Sequence, residues 1–173
     1  MNVPFVDLHI QYKLLKKDID SAIQSVIDRT AFIKGEEVEE FENSFAKQYG
    51  VKHCIGVANG TDALYIAMKM LGIGPGDEVI TVANSWISTS ETIVQTGAKP
   101  VFVDIDEYST IDVTKIEEKI TENTIAIIPV HLYGQPADIK IIAEIAERHR
   151  LYLIEDCAQS HFAEFDRKKV GTF

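Results

Sequence analysis

From Lys52 onward, short apolar runs alternate with amphipathic stretches of helical period, and this rhythm most constrains what the chain can fold into. Residues 53–58, 78–82, 99–103, 126–130 and 151–155 predict strands; residues 61–71, 86–95, 112–120 and 137–148 predict helices. A strand followed by a helix and another strand implies a crossover connection, and crossovers join parallel strands. Parallel sheets are covered by helices on both faces. The expectation is an α/β three-layer sandwich around a largely parallel sheet. Before Lys52 the pattern differs. Tyr12, Leu15, Ile19, Ile23, Val26 and Ile27 recur at three- and four-residue steps, and Val38, Phe41 and Phe45 mark a second helical face over 36–49. Gly35 separates the two helices and Gly50 ends the second. Residues 1–50 therefore read as a helical segment and 51–173 as the α/β domain.

Charge and cysteine usage narrow the function classes. A net charge of −10 over 173 residues disfavours sequence-independent nucleic-acid binding, so an anionic ligand would need local donors. No apolar run reaches membrane-span length, and Met1-Asn2-Val3-Pro4 lacks a basic leader. Cys54 and Cys157 have no zinc-ligand spacing, so no metal is expected, and they read as reduced, half-buried thiols of a cytoplasmic protein.

The chemistry gathers where strands end. In Leu151-Tyr152-Leu153-Ile154-Glu155-Asp156-Cys157-Ala158-Gln159-Ser160-His161, two acids close a strand, where ligands of open parallel sheets bind. Alternation sends Glu155 and Asp156 to opposite faces. Asp156, half out of water, wants a cationic partner; the plain alternative is that it caps the following turn. At Ala58-Asn59-Gly60-Thr61-Asp62-Ala63-Leu64 a strand ends, a glycine permits close approach and a helix begins. That arrangement aims free N–H groups and a dipole at one point, which suits a phosphate. Simple N-capping by Asn59 is the alternative. There is no G-x-G-x-x-G and no Walker lysine. Trp86, the one tryptophan, sits in Ala83-Asn84-Ser85-Trp86-Ile87-Ser88-Thr89 at another strand-to-helix junction, where its indole could stack on a flat ligand or fill a core or interface. His131, in Pro129-Val130-His131-Leu132-Tyr133-Gly134, reads as a hydrogen-bonded structural residue.

Four motifs in order resemble one family: Asn59–Leu64; Gly74-Pro75-Gly76-Asp77-Glu78-Val79-Ile80; Gly97-Ala98-Lys99-Pro100-Val101-Phe102-Val103-Asp104-Ile105-Asp106; and Glu155-Asp156-Cys157-Ala158-Gln159-Ser160-His161. Across essentially its whole length the chain resembles the amino-terminal part of DegT/DnrJ/EryC1/StrS sugar aminotransferases, pyridoxal-phosphate enzymes of the aspartate-aminotransferase fold. The resemblance implies the large cofactor-binding domain of a fold type I enzyme, truncated. It implies that Gly60 and Thr61 hold the cofactor phosphate, Trp86 stacks on the pyridine ring, Asp156 pairs with the ring nitrogen and Gln159 hydrogen-bonds near the ring hydroxyl. It further implies amino transfer, usually from glutamate, to a keto group of a nucleotide-linked sugar, by a homodimer whose sites are built from both chains.

The sequence departs from the family in two places. Phe162 stands where a glycine is common, which would alter the wall of the site. The Schiff-base lysine falls beyond Phe173, so the chain alone is expected to be an inactive fragment of the cofactor domain. Lys168 and Lys169 belong to a hairpin, expected over 166–173 and cut in mid-connection, and read as solvated charges. A sugar dehydratase of the same fold with histidine in place of that lysine, or a non-catalytic binding or regulatory module, are the alternatives.

Overall fold

The structure, a computed structural model, describes residues 4–173. The leader-free start expected at Met1-Asn2-Val3 lies outside the described residues. The chain divides into two compact units, Met1–Gly56 and Val57–Phe173.

The first unit is helical. Helix α1 runs Leu8–Asp28, opened by the Asp7 carboxylate accepting the Ile10 N–H at 3.0 Å. Helix α2 runs Glu36–Tyr49 and stops at Gly50, whose φ of 70° is the left-handed conformation glycine adopts without penalty. Arg29 joins the two by pairing with Glu36 at 3.1 Å and with Glu37. The rings of Phe41, Phe45 and Tyr49 run along α2, the first pair tilted and the second stacked. The strand expected over 53–58 does not form: the segment has no neighbouring strand among the described residues to complete a ladder. Its Gly56 N–H is instead taken by the Glu42 carboxylate at 2.6 Å.

The second unit holds a four-stranded sheet in the order β2-β1-β3-β4, parallel throughout. The strands are β1 (Glu78–Val82), β2 (Lys99–Val103), β3 (Thr124–Ile128) and β4 (Tyr152–Leu153). Helices α3 (Gly60–Met70), α4 (Ser88–Thr96) and α5 (Ile139–His149) make the connections. Period-two alternation assigns side chains to two separate cores. Val79, Ala126 and Ile128 pack with Leu64 and Met68 of α3 and Ile93 of α4. Ile80, Val82 and Ile127 pack with Ile139, Ile142, Ile145 and Ala146 of α5. These are the three layers of the expected sandwich. The α5 positions recur at i, i+3, i+6 and i+7, and each buried isoleucine side chain contributes about 1.5–3 kcal/mol.

Local departures from expectation have local causes. The helix expected over 112–120 is two 3₁₀ turns, Val113–Lys115 and Glu117–Lys119. Asp112 draws the first turn tight by accepting both the Thr114 N–H at 3.0 Å and the Thr114 hydroxyl at 2.6 Å. Helix α4 begins at Ser88, so Trp86 precedes the helix rather than starting it. Strand β4 is two residues long, but parallel pairing resumes at a single bridge between Val130 and Asp156. The hairpin expected over 166–173 instead lies over 164–169: β5 (Glu164–Phe165) and β6 (Lys168–Lys169) meet through Asp166-Arg167, both at positive φ as a two-residue turn of matching twist requires. Lys168 lies over the Phe173 ring with its Nζ 4.1 Å from the centroid. Among the described residues no helix is long and apolar enough to cross a membrane.

Candidate active site

The strand order turns back between β1 and β3, the position where open parallel sheets leave a crevice beyond their carboxyl ends. There lies a cleft of about 290 Å³, lined by Gly60, Thr61, Leu64, Trp86, Ser88, Thr89, Asp156, Ala158 and Gln159. All five residues singled out from sequence are among them.

The Gly60–Thr61 corner is built by a cap. The Asn59 carboxamide oxygen accepts the Asp62 N–H at 2.9 Å, and the Asn59 carbonyl accepts the Ala63 N–H at 3.1 Å. The N–H groups of Gly60 and Thr61 precede the helix's own ladder, at the positive end of α3. An added Cβ at Gly60 would meet nothing within 4 Å, so an anion has room there. The cap and the phosphate-site readings of this turn are compatible: the cap takes the third N–H and leaves the first two. The Thr61 hydroxyl is fixed by Ser88 Oγ at 2.8 Å.

Asp156 is held at both backbone and side chain. Its N–H donates to the Pro129 carbonyl at 3.0 Å and its carbonyl accepts the His131 N–H at 3.1 Å. Ile154 faces the α3–α4 core, so Asp156, two residues on, points to the same side, into the cleft. Its Oδ1 accepts the Ala158 N–H at 3.2 Å and its Oδ2 accepts the Thr89 hydroxyl at 3.1 Å. Gln159 uses its side-chain oxygen to accept the Tyr133 N–H at 3.0 Å, which directs its NH₂ as the remaining donor. Trp86 is 75% exposed at the cleft, so it fills no core within the described residues.

Glu155 goes to the other face and into a buried network. Its carboxylate accepts His131 Nε2–H at 3.1 Å, the Gly171 N–H at 2.7 Å and the Phe173 N–H at 2.9 Å. His131 is fully buried, and its Nδ1 accepts the Ala137 N–H at 3.0 Å, which fixes the proton on Nε2. Burial pushes the Glu155 carboxyl up, but His131 and the two backbone N–H groups outweigh it and leave it below the ordinary glutamate value. The ligand atoms of His131, Glu155 and Cys157 lie within 4.8 Å of one another. The histidine and the carboxylate spend their capacity within this network, and burial with the Glu155 charge pushes the Cys157 thiol up to about 12, away from the thiolate a metal prefers. The cluster is a structural pin. Phe162 has a φ of 63°, in the region that favours glycine, and is not among the residues lining the cleft.

Sequence reasoning did not single out Thr89, Ser88 and Ser85. The signal was present: hydroxyls at 85 and 89 are one helical turn apart, and 88 adjoins the second. What sequence lacks is their burial, which is nearly complete for Ser88 and Thr89. The assembled set offers N–H groups and a hydroxyl to an anion, a carboxylate to a cationic ring nitrogen and an indole to a flat ring. These groups fit pyridoxal phosphate.

The model of the DegT/DnrJ/EryC1/StrS aminotransferase family matches residues 13–173. A protein of Geobacillus stearothermophilus named pleiotropic regulatory protein is 49% identical over 172 residues, which is 99% of this chain and 46% of that protein. The dTDP-3-amino-3,4,6-trideoxy-alpha-D-glucose transaminase of Streptomyces venezuelae is 43% identical over 98% of this chain and 45% of its own length. The crystal structure of S. venezuelae DesV superimposes with a TM-score of 0.95 at 42% identity, covering 99% of this chain and 46% of that one. The chain thus spans less than half the length of the relatives it matches. The chain belongs to the DegT/DnrJ/EryC1/StrS aminotransferase family.

Proposed function

We propose that the protein to which this chain belongs is a pyridoxal-phosphate-dependent aminotransferase that moves an amino group, from glutamate, onto a keto group of a nucleotide-linked sugar, and that it works as a homodimer. The observation that carries the reading is the convergence of Gly60, Thr61, Trp86, Asp156 and Gln159 on one cleft beyond the strand ends of a family member. The Gly60 and Thr61 N–H groups and the Thr61 hydroxyl take the phosphate at the start of α3. Trp86 lies against the ring face. Asp156 holds a proton on the ring nitrogen, because a carboxylate beside a basic nitrogen favours its charged form. Gln159 offers its NH₂ to the ring hydroxyl. When bound, the cofactor supplies the electron sink for carbanion chemistry at the substrate carbon. A lysine outside these residues completes the family's machinery. The sugar substrate follows from the company the chain keeps, since the S. venezuelae relative is named for a dTDP-linked amino sugar.

The test is an intact mass of the full-length gene product after incubation with pyridoxal phosphate and borohydride reduction. One pyridoxyl adduct, together with amino exchange from glutamate, is the expected result. A protein that binds the cofactor without an adduct points to the dehydratase-like alternative. Absence of binding overturns the cofactor reading and leaves a regulatory module.

A further inference from the structure

Two neighbouring residues in the first turn of α4 reach two different parts of the cleft. Ser88 Oγ lies 2.8 Å from the Thr61 hydroxyl at the anion corner, and Thr89 Oγ1 donates to Asp156 Oδ2 at 3.1 Å. Both are buried, at 8% and 2% exposure. The Thr89 backbone is secured by its own turn: its N–H donates to the Trp86 carbonyl at 3.3 Å, and Thr92 Oγ1 donates to the Ser88 and Thr89 carbonyls at 2.7 and 3.3 Å. A carboxylate only accepts, so Thr89 spends its single proton on Asp156. The contact at 3.0 Å between Ser85 Oγ and Thr89 Oγ1 therefore runs with Ser85 as donor. The result is a directed relay, Ser85 to Thr89 to Asp156.

We propose that Thr89 is the positioning residue for the Asp156 carboxylate, and that the first turn of α4 is a rigid spacer setting the anion corner and the ring-nitrogen carboxylate at a fixed separation. This rests on the cofactor reading above and extends it. The Ala158 N–H restrains one oxygen of Asp156 and Thr89 the other, so together they fix the plane of the carboxylate. A carboxylate held from two sides cannot rotate away from the ring nitrogen, and losing one restraint frees its torsion. Thr89 itself need not meet the ring; it acts through Asp156.

The test uses the full-length protein and pyridoxamine 5′-phosphate labelled with ¹⁵N in the ring, which carries the same ring and phosphate but cannot condense with a lysine. Calorimetry gives the affinity and the ¹⁵N chemical shift reports ring protonation. Thr89→Val keeps the side-chain shape and removes the donor; it should weaken binding about tenfold and move the ring-nitrogen shift toward the unprotonated value. Thr89→Ser restores the hydroxyl and should restore both. Ser88→Ala should weaken binding through Thr61 while leaving the nitrogen shift in place. Melting temperatures close to that of the parent establish that each variant is folded.

Parent-like affinity and shift in Thr89→Val overturn the inference, as does a Thr89→Ser protein that behaves like Thr89→Val, since packing rather than the hydroxyl would then matter. Asp156→Asn separates the two levels. If it abolishes the shift while Thr89→Val does not, the cofactor reading stands and the positioning role falls. If Asp156→Asn also changes nothing, the cofactor reading fails and takes this inference with it.

Discussion

Asp156 and Cys157 adjoin, yet their surroundings set them opposite tasks. Asp156 faces the cleft with both oxygens engaged by light restraints, while the Cys157 thiol is pushed up to about 12 by burial and by the Glu155 charge. Asp156→Ala removes the proposed ring-nitrogen partner from the surface of the cleft and not from a core. On the proposed function, in the full-length protein it should lower turnover by at least about a hundredfold, since electrostatic groups at a reacting centre commonly contribute that much, with little change in melting temperature. Near-normal steady-state turnover would remove Asp156 from the mechanism. Cys157 should be inert. Raising a thiol from 9.0 to about 12 leaves about a thousandfold less thiolate at pH 8, so iodoacetamide should label it slowly in the folded protein and rapidly in urea, as peptide mass mapping over time would show. Fast labelling of the native state would contradict the burial. At this scale Asp156 was legible because strand alternation separates it from Glu155. Thr89 was not, because its four-residue spacing from Ser85 assigns it no partner until its burial and its distance to Asp156 are known.

Between elements, two contacts carry more than their sequence suggests. Gly97 ends α4 at a φ of 94°, and a Cβ there would sit 2.8 Å from Pro75 Cγ, in the turn that leads into β1. Gly97→Ala thus meets a left-handed backbone and a rigid ring together, and should destabilise the protein by about 1–3 kcal/mol, read as a lower urea midpoint. An unchanged midpoint would mean that the turn simply moves aside. The second contact is the Glu155 pin, which ties β4 to His131 and to the backbone of 171–173. Its folded carboxyl lies below the ordinary glutamate value, so folding favours the charged form. The stability it contributes is complete above the unfolded value, above about pH 5, and is lost as pH falls through the lower folded value. Urea midpoints from pH 6 to pH 3 should therefore decline less steeply in Glu155→Gln than in the parent, from a lower start, because an amide must turn its NH₂ toward one of the N–H donors. Parallel slopes would show that other carboxylates govern the acid limb. The helices and central strands around these contacts were legible from hydrophobic period. The unpaired state of 53–58 was not, because a strand exists only where a neighbour completes its hydrogen bonds, and propensity does not supply the neighbour. The 3₁₀ turns were missed because Asp112 and Thr114 compete locally with the helical ladder.

For the molecule as a whole, the two units differ in how completely they bury their apolar residues. In Val57–Phe173 both sheet faces are covered and the cores are closed by α3, α4 and α5. In Met1–Gly56, helix α1 contains no buried residue, and Leu15, Ile23 and Ile27 of its expected apolar stripe are 47–55% exposed. The period of the stripe marks an apolar face, and period alone does not say whether it packs within the chain or against a partner. An amphipathic helix 21 residues long with an uncovered stripe offers a surface for association. Residues 1–173 produced by themselves should accordingly bind a hydrophobic dye and elute in gel filtration above the 19.3 kDa of one chain. The double substitution Leu15→Glu and Ile23→Glu places two charges two turns apart on that stripe without touching a core. It should abolish both effects while leaving the far-ultraviolet circular dichroism intact, since glutamate is a good helix former. If the parent piece elutes as a single chain without binding dye, the stripe is covered in solution by contacts within the chain, and α1 is a cover rather than an interface. If the double variant still associates, the exposed edges β2 and β4 become the surfaces responsible, because unpaired strand edges template the same kind of contact.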